Sequence, residues 1–194
     1  RLDYDGPLLD WAEPEHPLAF LRGGEGIVGF GERASFRHEG PDRIADLARW
    51  WRDLCDAAEV HDEVRGATVL GRGGAGFPAG VKWGLMPAGK YPRYLVVNGD
   101  ESEPGTYKDR LLMERDPHQL VEGCLIAAYA AGLSQVFLYI RGEMPLAHER
   151  VAVALNDAYA AGYVGKNILG TNFSVDIVLH WGAGAYVVGE ETAL

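Results

Sequence analysis

The sequence predicts an α/β protein: a parallel sheet with flanking helices, preceded by a small N-terminal α+β appendage. Three observations predict it. Apolar runs of strand length at 94–97, 136–140 and 175–179 alternate with two helical stripes, and strand–helix–strand–helix–strand is the order of a parallel sheet with right-handed crossovers. Residues 136–140 are apolar without a break, the form of a strand covered on both faces. Finally, every base in residues 1–65 is Arg, whereas all four lysines (Lys82, Lys90, Lys108, Lys166) come later. Codon bias or a change of domain would each produce that shift. We divide the chain into an appendage, 1–65, and a main domain, 66–194.

The elements follow in order. Residues 8–16 are irregular and acidic. Residues 18–21 and 26–30 are short apolar pieces, the second a strand before a turn at Gly31, and 34–38 alternate weakly. Then Ile44, Leu47, Ala48, Trp51, Leu54, Cys55 and Ala58 recur at the spacing of an amphipathic helix. Pro41 and Asp42 suit its first turn. Residues 67–70 are at best a short strand, and Val81-Lys82-Trp83-Gly84 is a poor helix. Residues 94–97 form a buried strand that feeds a polar turn from Asn98 to Gly105. Pro117 begins a well-buried helix to about Ala131, capped by Asp116 and stopped by Gly132. A second helix runs from Pro145 to Ala161 and ends at Gly162, with its stripe at Ala147, Val151, Ala154, Leu155 and Ala158. Val175, Ile177 and Leu179 then alternate with polar residues as the third strand. The result is a partial Rossmann-like sheet.

Composition removes several functions. A net charge of −10 on 194 residues opposes nonspecific binding to nucleic acid or anionic membrane. Two cysteines, Cys55 and Cys124, cannot build a four-cysteine cluster or zinc site, and they fit a cytosolic protein with buried thiols. The six histidines form no H-E-x-x-H pair. No apolar run is long enough to span a bilayer, and the first residues lack the form of a signal peptide.

The most informative stretch is Gly71-Arg72-Gly73-Gly74-Ala75-Gly76-Phe77-Pro78. Glycines let a backbone approach a ligand, and successive N–H groups in such turns bind anions. A mobile glycine-rich loop is the competing explanation. Gly71, Gly73 and Gly76 match G-x-G-x-x-G, but the flanks fit an ordinary dinucleotide site poorly. A special phosphate loop fits better. In an open parallel sheet, ligands sit beyond the carboxyl ends of the strands. Asn98, Asp100, Glu101 and Glu103 follow the first strand, and residues 182–191 follow the third. Both therefore converge on one sheet edge, near Gly71. The alternative is that the acids are a solvated turn and that Gly189-Glu190-Glu191 starts a helix. Chemically, paired carboxylates suit ribose or ribityl hydroxyls. Arg72 and Lys82 suit phosphate. Phe77 and Tyr186 can stack on a ring or fill core.

Taken together, the glycine loop, Lys82-Trp83, the run from Asn98 to Arg110, Arg141-Gly142-Glu143, Gly165-Lys166-Asn167 and the run from Gly182 to Leu194 carry a resemblance. From about residue 66 onward, in register and in the same order, the chain resembles the NADH-binding, FMN-carrying flavoprotein subunit of bacterial respiratory complex I. The same module occurs in hydrogenase and formate dehydrogenase diaphorase subunits. The resemblance implies that Gly71, Arg72, Gly73, Gly74, Lys82, Asn98, Asp100, Glu101, Tyr186, Gly189 and Glu190 line an FMN site. Phe77, Glu103 and Glu191 would meet NADH, with Phe77 on the adenine. FMN would do the hydride chemistry, so no catalytic side chain and no metal ligand is demanded. The implied partners are other subunits of a complex I-like or diaphorase assembly, including a thioredoxin-like iron–sulfur subunit, without nucleic acid and without direct membrane insertion. The implied location is cytoplasmic, peripheral to the membrane.

Three residues depart from that pattern. Leu70 stands in place of Arg, Leu85 in place of an adenine-stacking aromatic, and Val188 in place of Cys. In the family a ubiquitin-like domain and a helical domain holding a four-iron cluster follow Leu194, so a truncated module is expected. Residues 8–65, with 18–32 and the Trp50-Trp51 helix, instead resemble the N-terminal edge of isochorismate synthase, without its catalytic residues. A chimera joined near Arg65 is the expectation. Two other functions remain open: a non-catalytic scaffold that keeps the fold, and an isochorismate-synthase-related protein with an unrelated tail.

Overall fold

The computed structural model describes residues 57–194. The pieces expected between residues 8 and 56, the isochorismate-synthase-like segment among them, lie outside the described residues. So does the helix expected over 44–58, except for its last two residues. Those two open helix α1, Ala57–Gly66, which carries helical structure beyond the predicted stripe. Val60 and Val64, four residues apart and therefore on one face, are its buried positions. It runs through the 65/66 point and packs on the helices that follow.

Helix α2, Ala79–Gly84, corrects the reading of that stretch as a poor helix. Pro78 precedes it at φ −64°, where its missing N–H costs nothing. Lys82 N–H donates to the Pro78 carbonyl at 3.0 Å, and Gly80 is buried against the backbone of Arg65. Packing on α1 overrides weak propensity. The short strand considered at 67–70 is a single bridge between Leu70 and Pro78, flanked by Gly71 N–H to Phe77 O at 2.8 Å and Ala79 N–H to Val69 O at 2.8 Å.

The sheet is parallel, three-stranded and in the order β1 (Tyr94–Gly99), β2 (Gln135–Ile140), β3 (Asp176–Trp181). Tyr94 pairs with Gln135 and that with Asp176; Gly99 pairs with Ile140 and that with Trp181. The α/β class and the flanking helices are as expected. Helix α4, Pro117–Ala131, has the predicted ends: the Asp116 side chain accepts from Gln119 N–H, and Gly132 closes it in the left-handed region at φ 63°. Helix α5, Pro145–Ala160, buries Ala147, Val151, Ala154, Leu155 and Ala158, the predicted stripe. Helix α3, Asp109–Arg115, has no counterpart in the sequence reading. It is short and charged, and Met113 is its one buried side chain.

Two expectations of burial are corrected. β1 is not a buried strand: Tyr94, Val96 and Asn98 face solvent while Leu95 and Val97 are half-buried. Among the described residues, β2 is covered on one face, not two. Val136, Leu138 and Ile140 are fully buried, but Phe137 is 38% exposed. The reason is topological. Two successive right-handed crossovers in one direction put their helices on the same side of a sheet. The side chains of Val121, Ala128, Ala147, Val151 and Ala154, on α4 and α5, pack with β2 into one apolar cluster. Each fully buried Val, Leu or Ile there stabilises by roughly 1.5–3 kcal/mol. The opposite face keeps Val96, Phe137 and Val178 exposed.

Candidate functional site

A parallel sheet brings all its carboxyl ends to one edge. Here these are Gly99, Ile140 and Trp181. The segments that leave them form the walls of one open cavity of about 800 Å³, within the roughly 300–1,000 Å³ of small-molecule sites. Four parts of the chain line it: Arg72, Gly73 and Gly74 of the glycine loop; Lys82 of α2; Asn98, Asp100, Glu101 and Glu103 after β1; and Tyr186, Gly189 and Glu190 after β3. Of the fourteen residues singled out in the sequence, these eleven meet. Gly71, Phe77 and Glu191 are not among the lining residues. Gly71 instead closes the glycine loop through its N–H to Phe77 O, and the Phe77 side chain is half exposed.

The glycine loop is open on the side that matters. An added Cβ at Gly73 or Gly74 would meet nothing within 4 Å, and Gly74 sits at φ +113°, which side chains resist. Backbone can therefore approach a ligand there. Opposite it, the turn after β1 is fixed by its own side chains. Asp100 N–H donates to Asn98 Oδ1 at 3.0 Å, an Asx turn. Ser102 Oγ donates to Asp100 Oδ2. Asp100 Oδ1 is buried and has no hydrogen-bond partner, so a hydroxyl or N–H of a bound molecule would satisfy it.

Glu101 lines the cavity and also holds the turn itself. It is 9% exposed, and its Oε2 accepts the backbone N–H groups of Lys108 (3.0 Å), Asp109 and Arg110 (3.4 Å). These are the first N–H groups of α3, whose own N-cap residue, Lys108, makes no side-chain cap. Glu101 thus caps a helix from seven residues away, and the carboxylate also complements the dipole. Its solvated-turn alternative is thereby excluded.

The turn after β3 reaches across to the turn after β1. Asn98 Nδ2 donates to Gly189 O at 2.6 Å. Tyr186 OH donates to Glu103 Oε2, and that hydrogen bond holds the Tyr186 hydroxyl above its ordinary pKa. A Cβ at Gly189 would stand 3.0 Å from both the carbonyl and Oδ2 of Asp100, so the absence of a side chain at 189 lets the two turns meet this closely. Glu190 Oε2 accepts from Thr192 N–H at 3.1 Å and from its hydroxyl. Residues 189–191 lie in successive turns, in which Ala193 N–H and Leu194 N–H both donate to the Glu190 carbonyl, at 2.9 and 3.0 Å.

Ser102, Thr106, Lys108, Asp109 and Val187 also line the cavity, and sequence alone did not single them out. Thr106, Lys108 and Asp109 lie in the same polar run as Glu103, and that run was the available signal. Among the described residues, no group of three His, Cys, Asp or Glu side chains is placed to hold a metal ion.

Known proteins are similar to this chain. The chain is 51% identical over 136 residues to the NADH-quinone oxidoreductase F subunit of Aquifex aeolicus, covering 70% of this chain and 32% of that relative. It is 52% identical over 137 residues to the mitochondrial NADH-ubiquinone oxidoreductase 51 kDa subunit of Neurospora crassa, covering 68% of this chain and 28% of that one. A crystal structure of NAD+-reducing NiFe hydrogenase in the air-oxidized state superposes with a TM-score of 0.62 at 32% identity, over 88% of this chain and 27% of that chain. This chain spans about a third of the length of the curated relatives it matches. Nothing in these matches supports the resemblance of residues 8–65 to isochorismate synthase. Residues 64–194, more than half of the sequence, match the family described as the Nuo51 FMN-binding domain, and the chain belongs to that family.

Proposed function

We propose that this chain is the FMN-binding part of an NADH dehydrogenase flavoprotein, working beside other subunits of a complex I-like or diaphorase assembly. One observation carries the proposal. Turns separated by more than 80 residues meet around one cavity, where a buried Asp100 oxygen lacks a donor and two adjacent glycines leave backbone uncovered.

The residues fit the cofactor by type. Arg72 and Lys82 bring positive charge to a phosphate, with the uncovered backbone of Gly73 and Gly74 beside it. Asp100 would accept from a ribityl hydroxyl, and Asn98 and Gly189 would hold the wall behind it. Glu101 acts through the turn it caps. Tyr186 offers a ring face and Glu190 a further acceptor. When bound, FMN supplies acceptance of a hydride from NADH. The protein's share would be to bind the two molecules and orient them.

Phe77 and Glu191 are the residues proposed for NADH, with Glu103. Two of these three stand outside the cavity lining, and Leu85, in place of a stacking aromatic, is 70% exposed. That observation favours a second reading, in which this chain binds FMN and turns over NADH weakly or not at all. The proposed location is cytoplasmic and peripheral to the membrane; no helix among the described residues is long and apolar enough to cross one.

Reconstitution tests both readings. Purified protein mixed with FMN and desalted should retain flavin absorbance with quenched fluorescence. Protein that returns colourless overturns the proposal. NADH-driven ferricyanide reduction by the flavin-loaded protein then separates turnover from binding alone.

A further inference from the structure

Arg141, Gly142 and Glu143 line no part of the cavity, yet they touch both turns that form it. They leave the carboxyl end of β2, the central strand, and so lie between the turn after β1 and the turn after β3. Arg141 Nη1 donates to the main-chain oxygen of Glu101 at 2.9 Å, and its backbone N–H donates to Gly99 O at 3.3 Å. Its Nε and Nη2 donate to the two carboxylate oxygens of Glu143 at 3.1 and 3.3 Å. Glu143 in turn lies against Gly184, where a Cβ would stand 3.3 Å from Oε1. The Gly142 carbonyl accepts from Trp181 Nε1 at 2.9 Å, and a Cβ on Gly142 would overlap the carbonyl oxygen of Gly182.

We propose that the Arg141–Glu143 pair is a positioning bracket, which fixes the Glu101 turn and the Gly184 turn relative to each other and thereby sets cofactor affinity without touching the cofactor. The proposal rests on the FMN reading above. An exposed ion pair contributes little to global stability. Arg, however, presents a rigid planar fork. Here two arms of the fork take a carboxylate and a third takes the carbonyl of a residue in the cavity wall. Such a wall must stand within about 0.5 Å of its binding geometry to work. The arginine hydrogen bond also holds the Glu143 carboxyl below the usual carboxylate range.

Arg141→Met and Arg141→Lys in the full chain test it with two readouts. The first is FMN affinity by fluorescence quenching. The second is hydrogen exchange without FMN at residues 98–109 and 182–190, with Pro117–Ala131 as the internal reference. Arg141→Met should weaken FMN binding about tenfold or more and speed exchange in both turns while the reference helix is unchanged. Arg141→Lys, which keeps the charge but not the fork, should fall between Met and wild type. Wild-type affinity and wild-type exchange in Arg141→Met overturn the bracket. Faster exchange in the reference helix to the same degree as in the turns also overturns it. Should the wild-type chain bind no FMN, the cofactor reading fails, and the exchange pattern alone decides the bracket.

Discussion

Asn98, the penultimate residue of β1, donates its side-chain amide to the backbone oxygen of Gly189 at 2.6 Å, across 91 residues of sequence. A second side-chain bond, from Tyr186 to Glu103, joins the same two turns. The cavity depends on this closure. Asn98→Ala removes two exposed hydrogen bonds, the one to Gly189 O and the one from Asp100 N–H, and should lower stability by about 1–2 kcal/mol, measured by urea unfolding. Its larger effect should be on FMN, with affinity falling about tenfold. Equal FMN affinity in the variant would detach Asn98 from the site.

Gly189→Ala tests the same contact from the other side. The new Cβ would stand 3.0 Å from the Asp100 carbonyl and carboxylate, so one turn must yield by a few tenths of an ångström. FMN binding should weaken while the unfolding midpoint barely moves, because residues 186–190 lie at the surface, away from the core cluster. A midpoint shift without an FMN effect would count against a binding role.

Glu101→Ala leaves the N–H groups of Lys108, Asp109 and Arg110 without their acceptor. Hydrogen bonds to a charged group contribute about 1.5–3 kcal/mol, and helix α3 has no cap of its own. A destabilisation of that order is expected, together with faster amide exchange over 108–113. Glu101→Gln keeps an acceptor oxygen and should recover part of the loss. A silent Glu101→Ala would return this residue to the role of a plain ligand.

The Tyr186–Glu103 bond predicts an alkaline effect. The folded pKa of Tyr186 lies above its ordinary value of 10, chiefly because the hydroxyl donates to the Glu103 carboxylate. A raised folded pKa stabilises fully below the unfolded value, and the contribution disappears as pH rises through the folded value. Difference absorbance between wild type and Tyr186→Phe should therefore show a phenolate that titrates above pH 10. Glu103→Gln should bring that titration down towards 10. A titration indifferent to Glu103→Gln would show that the bond does not persist in solution.

Cys124, on the buried side of α4, has its thiol pushed up to about 12 by burial. The thiolate is the reactive form. In a Cys55→Ser background, Cys124 should therefore stay inert to a disulfide reagent in native buffer. It should react in step with global unfolding as urea is raised. Fast labelling without denaturant would mean that α4 is not packed as described.

The sequence by itself determined the α/β class and the two long helices, and it named eleven of the residues that line the cavity. Helix α4 was legible because its ends carry local chemistry: Asp116 before Pro117, and Gly132 where φ must turn positive. The stripe of α5 was legible because helical period alone sets which side chains share a face. The family resemblance of the motifs pointed to eleven residues that meet at the cavity. Only the tertiary structure decided the rest. An apolar run marks a strand, but not whether or on how many faces it is buried. Phe137 is apolar and exposed because both crossovers fell on the other side of the sheet. Propensity condemned 81–84, yet α2 forms because α1 covers Gly80. Glu101 lines the cavity, as its position suggests, and it also caps a helix, because the N–H groups of α3 reach its Oε2. Arg141 reads as a motif without a task until the central strand sets it between two turns. In each case the deciding neighbour lies outside the local sequence pattern that was read, and the chain's path in space brings it there.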